Sequence, residues 1–139
     1  MSNIREDTLS VIELKREVNA SIEKIKRRGL IQTRNGCDYL ADAKRLLNEA
    51  EYFLKTIEKT EFSSCKNIFE LRLKLQIVAN NLKKELIKAQ NLFIHPSKGE
   101  YWQHVLKNAN EEKIVALKLE IQWLEKCIQI ARNRKYFEY

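Results

Sequence analysis

Glycine and proline are nearly missing from this chain: three of the first and one of the second in 139 residues. An architecture of many short strands needs such residues at its turns, so their shortage points to few, long elements. Cysteine is scarce too. Cys37, Cys65 and Cys127 are an odd number, widely spaced and without a Cys-x-x-Cys pair, which excludes a disulfide scaffold. Only His95 and His104 would extend that ligand set, at no standard spacing, so neither a metal nor another cofactor is expected. No apolar run approaches the ~20 residues of a membrane span. The opening MSNIREDTLS carries acids where a secretory leader needs cationic and then apolar residues. A soluble, cytoplasmic protein with reduced thiols is the expectation.

Catalytic signatures are equally thin. The sequence has no Gly-x-Ser-x-Gly, no glycine-rich phosphate loop and no His-Glu-x-x-His. A di-iron bundle needs Glu-x-x-His on two helices, whereas Glu100 and His104 stand four apart and occur once. A non-catalytic protein is expected.

What the chain does have is apolar residues at helical spacing, 44% of the total, and 32% charged residues. Residues 3–28 place Ile4, Val11, Val18 and Ile25 seven apart, with Leu14 and Ile22 on the second seam position. Ser2 or Asn3 is the expected cap, and Gly29 the expected stop. An Asn35-Gly36 turn leads to a second helix over 37–59, where Tyr39, Ala43, Leu46, Ala50, Phe53 and Ile57 mark the stripe, widened by Leu40, Leu47 and Leu54. A third helix, capped by Ser63 or Ser64, is read over 63–94, with Ile68, Leu71, Leu75, Val78, Leu82, Leu86, Ala89 and Phe93 inward. His95-Pro96 stops it. Residues 100–107 read as a short helical piece, and Asn110 with Glu111 and Glu112 as the cap of the last helix. That helix places Ile114, Leu117, Ile121, Leu124, Ile128 and Ala131 inward.

Two windows, 69–77 and 117–123, alternate apolar and polar residues as a strand does. Their Leu, Lys, Arg, Glu and Gln content and the scarcity of β-branched residues favour helix. The expectation is one all-α domain over 1–139. Its four long amphipathic helices would form an antiparallel up-down-up-down bundle, with a short extra helix before the last.

Lys and Arg number 26 against 19 acids, a net charge of +7. By segment, residues 1–36 carry +3, 37–62 carry −2, 63–98 carry +5 and 99–139 carry +1. In an up-down-up-down bundle the first and third helices are parallel. Their C-termini would gather Lys24, Lys26, Arg27, Arg28, Arg34, Lys84, Lys88 and Lys98 at one basic end. Such a cluster suits phosphates, as RNA or DNA presents them. Basic last turns also offset a helix's own dipole, which is the plainer explanation for each helix alone. Tyr101 and Trp102, beside the only Pro-Gly break, offer an aromatic partner-binding anchor. A plainer role is preferred for them: Trp102 lidding the open end of the core, Tyr101 packed on the third helix. Tyr136, Phe137 and Tyr139 pose the same choice at the other end.

Two functions follow as expectations. One is a basic helical module that binds nucleic acid through phosphates. The other is a protein–protein adaptor, inhibitor or accessory subunit that self-associates or docks on an acidic partner. It is motivated by Ile68, Phe69, Leu71, Leu73, Leu75, Ile77 and Val78, more apolar residues than one bundle face requires.

Overall fold

The computed structural model describes residues 9–32, 39–133 and 135–137, without side chains for 29–32 and 39–41. Among the described residues the fold is all-α, and both alternating windows are helical. The helices are α1 (Val11–Gln32), α2 (Tyr39–Glu58), α3 (Thr60–Ser63), α4 (Ile68–Gln90) and α5 (Glu100–Arg132). The chain forms two compact units: Met1–Leu75 with Lys126–Tyr139, and Gln76–Glu125.

Among the described side chains of the first unit the inward stripes follow the predicted spacing, with Leu47 and Leu54 half-buried; Ile4, Tyr39 and Leu40 lie outside them. Val11, Leu14, Val18, Ile22 and Ile25 of α1 are buried, as are Ala43, Leu46, Ala50, Phe53 and Ile57 of α2. Ile68, Leu71 and Leu75 of α4 and Ile128, Ile130 and Ala131 of α5 join this core, together with Phe62, Cys127 and Phe137. Phe53 has no exposed surface, so its truncation to Ala would cost roughly 3–5 kcal/mol.

Helix ends are where sequence and structure part. The helix α1 begins at Val11, where Ser10 Oγ accepts the Glu13 backbone N–H at 3.2 Å and is the cap; the start and cap expected at Ser2 or Asn3 lie outside the described residues. It does not stop at Gly29 but continues to Gln32, because a glycine costs a helix only ~1 kcal/mol and no proline follows it there. Ser63 and Ser64 do not cap α4. They end and follow the one-turn α3, which the spacing gave no reason to expect, and Phe62 on it is buried. The cap of α4 is Asn67, whose Oδ1 accepts the Glu70 N–H at 2.9 Å while the Glu70 carboxylate accepts the Lys66 N–H at 2.9 Å. The two caps also meet: Ser10 and Asn67 form an antiparallel bridge, and Ile68 N–H donates to the Leu9 carbonyl at 3.0 Å. The start of α1 is thereby fixed beside the start of α4.

In the second unit the chain doubles back. Lys83 Nζ lies 3.0 Å from Glu125 Oε1, and Asn110 Nδ2 donates to the Ala89 carbonyl at 2.7 Å, so these stretches of α4 and α5 run antiparallel. The second contact overturns two expectations. Asn110 does not cap a helix; it lies inside α5, with its amide on a carbonyl in the last turn of α4. There is consequently no short extra helix before the last, since residues 100–107 are the first turns of one 33-residue helix. The third long helix ends at Gln90 rather than at Ile94, and Phe93, expected inward, is 76% exposed. The loop before Pro96 and Gly99 is fastened by Gln103, whose amide donates to the carbonyls of Pro96 and Lys98.

Candidate functional site

The basic residues come first. Lys24, Lys26, Arg27 and Arg28 are all exposed on α1, within two turns of one another. Ile22 and Ile25 turn inward beside them, which forces these four outward. Lys24, Arg27 and Arg28, at three- and four-residue spacing, share a flank, and Lys26 lies on the other side. Because α1 runs on to Gln32, its last turn holds no basic residue, and these cations sit one turn further in. A helix dipole is felt mainly within its terminal turn. Dipole compensation therefore accounts for them less well than it did with an end at Gly29.

Lys84 and Lys88 are exposed one turn apart near the end of α4, and Lys98 is exposed in the following loop. They belong to the second unit, whereas the α1 cations belong to the first. Each set is coherent within its own unit. Arg34 lies outside the described residues. Among the described residues, no ion pair engages Lys24, Lys26, Arg27, Lys84, Lys88 or Lys98.

Tyr101 and Trp102 do not lid a core. They are 73% and 59% exposed and meet edge to face, with ring centroids 5.6 Å apart, in the first turn of α5. The C-terminal aromatics behave oppositely. Phe137 is buried, and the Tyr136 hydroxyl donates to Glu49 of α2, so this pair closes the first unit; Tyr139 lies outside the described residues.

Glu49 is the polar residue the sequence reading passed over. It is 4% exposed, and its carboxylate takes the Tyr136 hydroxyl, Arg45 Nη1 at 3.3 Å and Lys126 Nζ at 3.6 Å. Its position was a usable signal, for Leu46, Glu49 and Phe53 step three and four along the buried stripe. Two cations, from α2 and α5, offset its charge and a phenol of the tail hydrogen-bonds it, which is the arrangement of a structural tie rather than of an open reactive carboxylate. Burial, then the neighbouring Glu49 carboxylate, pushes the Tyr136 phenol up to about 12.

Cys65 and Cys127 are free thiols, and Cys37 lies outside the described residues. Burial pushes Cys127 up to about 11, against a partly compensating hydrogen bond with Thr56. Burial also raises Cys65, helped by Glu70. Each histidine is engaged locally: His95 Nδ1 accepts the Ser97 N–H at 3.1 Å, and His104 Nε2 lies 3.2 Å from Asn108 Nδ2. Among the described residues, no group of three or more His, Cys, Asp or Glu side chains is placed to hold a metal, and no helix is long and apolar enough to cross a membrane.

Compared with known proteins, the chain matches no family model, no curated protein and no solved structure.

Proposed function

We propose that this is a small non-catalytic helical protein that binds nucleic acid through its phosphates. Lys24, Lys26, Arg27 and Arg28 of α1 are the main contact, and Lys84, Lys88 and Lys98 a second set on the other unit. The observation that supports it best is the position of the α1 cations: exposed, grouped within two turns, and above the last helical turn. The proposal does not need the bundle expected from the sequence, since each set stands within its own unit. Recognition is led by charge and shape, RNA or DNA, in a cytoplasmic setting.

Fluorescence anisotropy with a labelled single-stranded RNA and a labelled DNA duplex tests it. Log affinity should fall steeply with log salt, and Arg27→Ala with Arg28→Ala should flatten the slope by about two. Lys44→Ala with Lys55→Ala, the same charge removed from α2, should flatten it far less. Absence of binding at low salt, or a salt-independent affinity, would refute the proposal.

A second function, as a protein–protein module, is supported by a separate observation. Phe69, Leu73 and Ile77 of α4 are 51%, 50% and 52% exposed, and Val115 and Leu119 of α5 are 67% and 54% exposed. These are large apolar side chains in rows, not isolated ones.

A further inference from the structure

We propose that the second half of α1 lies in the major groove of a DNA duplex. The inference rests on the nucleic-acid binding proposed above and names the form of nucleic acid that α1 takes.

Val11, Leu14, Val18, Ile22 and Ile25 are buried and fix the inward direction of α1. Opposite them Arg16, Ala20, Glu23 and Arg27 step 4, 3, 4 along the helix and form an outer ridge, all of them exposed. Over its second half this ridge has a cation on either side. Lys26 stands about 80° from the inward direction on one flank, and Arg28 about 80° and Lys24 about 120° from it on the other. The first half is closed on one flank, where Glu17 and Ser21 line a crevice with Ile130, Asn133 and Phe137 of the same unit. Beyond Ser21 every residue up to Arg28 is exposed except the inward Ile22 and Ile25.

Glu23 decides the mode of contact. It sits on the ridge between the two cationic flanks, one turn from Arg27. A phosphate strand laid flat along the ridge would meet this carboxylate and be repelled by it. A helix sunk into a groove instead sets the phosphates at its flanks and its ridge against base edges. There Glu23 can accept from cytosine N4, and Arg27 can donate to guanine O6 and N7. Acid and cation then both find partners. Ala20, small and exposed on the same ridge, lets the backbone come close to the groove floor.

Dimensions choose the form of the duplex. A helix with its side chains is about 10–12 Å across, and the major groove of B-form DNA is about 12 Å wide. Lys26 then reaches one strand, and Lys24 with Arg28 the other. Arg27, midway, stays within a Debye length of both phosphate rows and still contributes to the salt dependence. The major groove of an A-form RNA duplex is too narrow for a helix, and a single strand offers no groove.

Fluorescence anisotropy with the full chain tests the inference. The probes are a labelled G·C-rich DNA duplex of about 20 base pairs, the RNA duplex of the same sequence, and each single strand. The DNA duplex should bind at least about tenfold more tightly than the others. Replacing its guanines with 7-deazaguanine removes major-groove N7 acceptors and leaves the phosphates untouched. That should weaken wild-type binding by about threefold or more, and binding by Arg27→Ala far less. Ala20→Trp, a bulky ring on the ridge with no change of charge, should weaken DNA-duplex binding by about tenfold, and Ala20→Ser by less than about twofold. Circular dichroism confirms that the variants stay helical. RNA duplex or single strand bound as tightly as the DNA duplex would overturn the inference. So would indifference of the wild type to 7-deazaguanine, or an Ala20→Trp protein that binds the duplex as the wild type does. Phosphate binding by α1 would survive any of these results if the salt slope still depends on Arg27 and Arg28, whereas no binding to any probe at low salt would remove both.

Discussion

Replacing Tyr136 with Phe removes one hydrogen bond from the buried Glu49 carboxylate and almost nothing else. The carboxylate keeps Arg45 and Lys126, and Phe fills the space of the ring against Phe137. A hydrogen bond to a charged group contributes about 1.5–3 kcal/mol; with Tyr136 only partly buried, about 1–2 kcal/mol is expected. Glu49→Leu should cost a similar amount, for a specific reason. Arg45 and Lys126 have side chains 54% and 36% exposed and can turn to water, but the Tyr136 hydroxyl is left without its acceptor. The double variant Glu49→Leu, Tyr136→Phe strands no group and should recover most of the loss, since a well-packed apolar replacement of a buried ionic cluster is often neutral or better. Urea unfolding of the four proteins closes the cycle. A coupling of about 1 kcal/mol or more is expected, and additivity within ~0.5 kcal/mol would refute the tie. The same contact gives a pH signature. The phenol is raised from 10 to about 12 in the folded state, so its contribution is complete below pH 10 and is lost as the pH rises toward 12. Tyr136→Phe should lose less stability over that window than the wild type.

Other predictions follow from single contacts. Ser10→Ala and Asn67→Ala should each cost about 1 kcal/mol in thermal unfolding, and together less than their sum, because the two caps are bridged. Asn110→Ala should speed hydrogen exchange at the end of α4, where the Ala89 carbonyl loses a donor, while leaving the core of the first unit protected. Timed thiol labelling should modify Cys65 well before Cys127, which is 1% exposed; equal rates would mean that α5 opens near its C-terminus.

The inward stripes were legible because burial follows a single period, and Val11, Leu14, Val18, Ile22 and Ile25 obey it without exception. Helix ends were not, since they are decided by individual hydrogen bonds. Ser10 and Asn67 win as caps through one side-chain contact each, and Asn110 looks like a cap in sequence but serves a carbonyl twenty-one residues away. The two strand-like windows have a physical explanation. In 69–77, Leu71 and Leu75 point inward while Phe69, Leu73 and Ile77 point outward; in 117–123, Leu117 and Ile121 are buried and Leu119 is exposed. A helix apolar on two faces imitates the alternation of a strand. The burial pattern also thins within the second unit. There Val78, Leu82 and Leu86 are only half-buried and Ala89 is buried. Tyr101 and Trp102, both exposed, are not the lid that their place beside the Pro-Gly break suggests.

The proposed nucleic-acid binding is tested most directly by purifying the protein at low salt and measuring the 260/280 absorbance ratio of the protein peak. The wild type should carry nucleic acid that a high-salt wash removes. A variant with Lys24, Lys26, Arg27 and Arg28 changed to Ala should elute without it, whereas one with Lys44, Lys55, Lys59 and Lys66 changed to Ala, losing the same charge, should retain most of it. A wild-type peak with the ratio of protein alone, or equal loss in the two variants, would contradict a phosphate-binding site on α1.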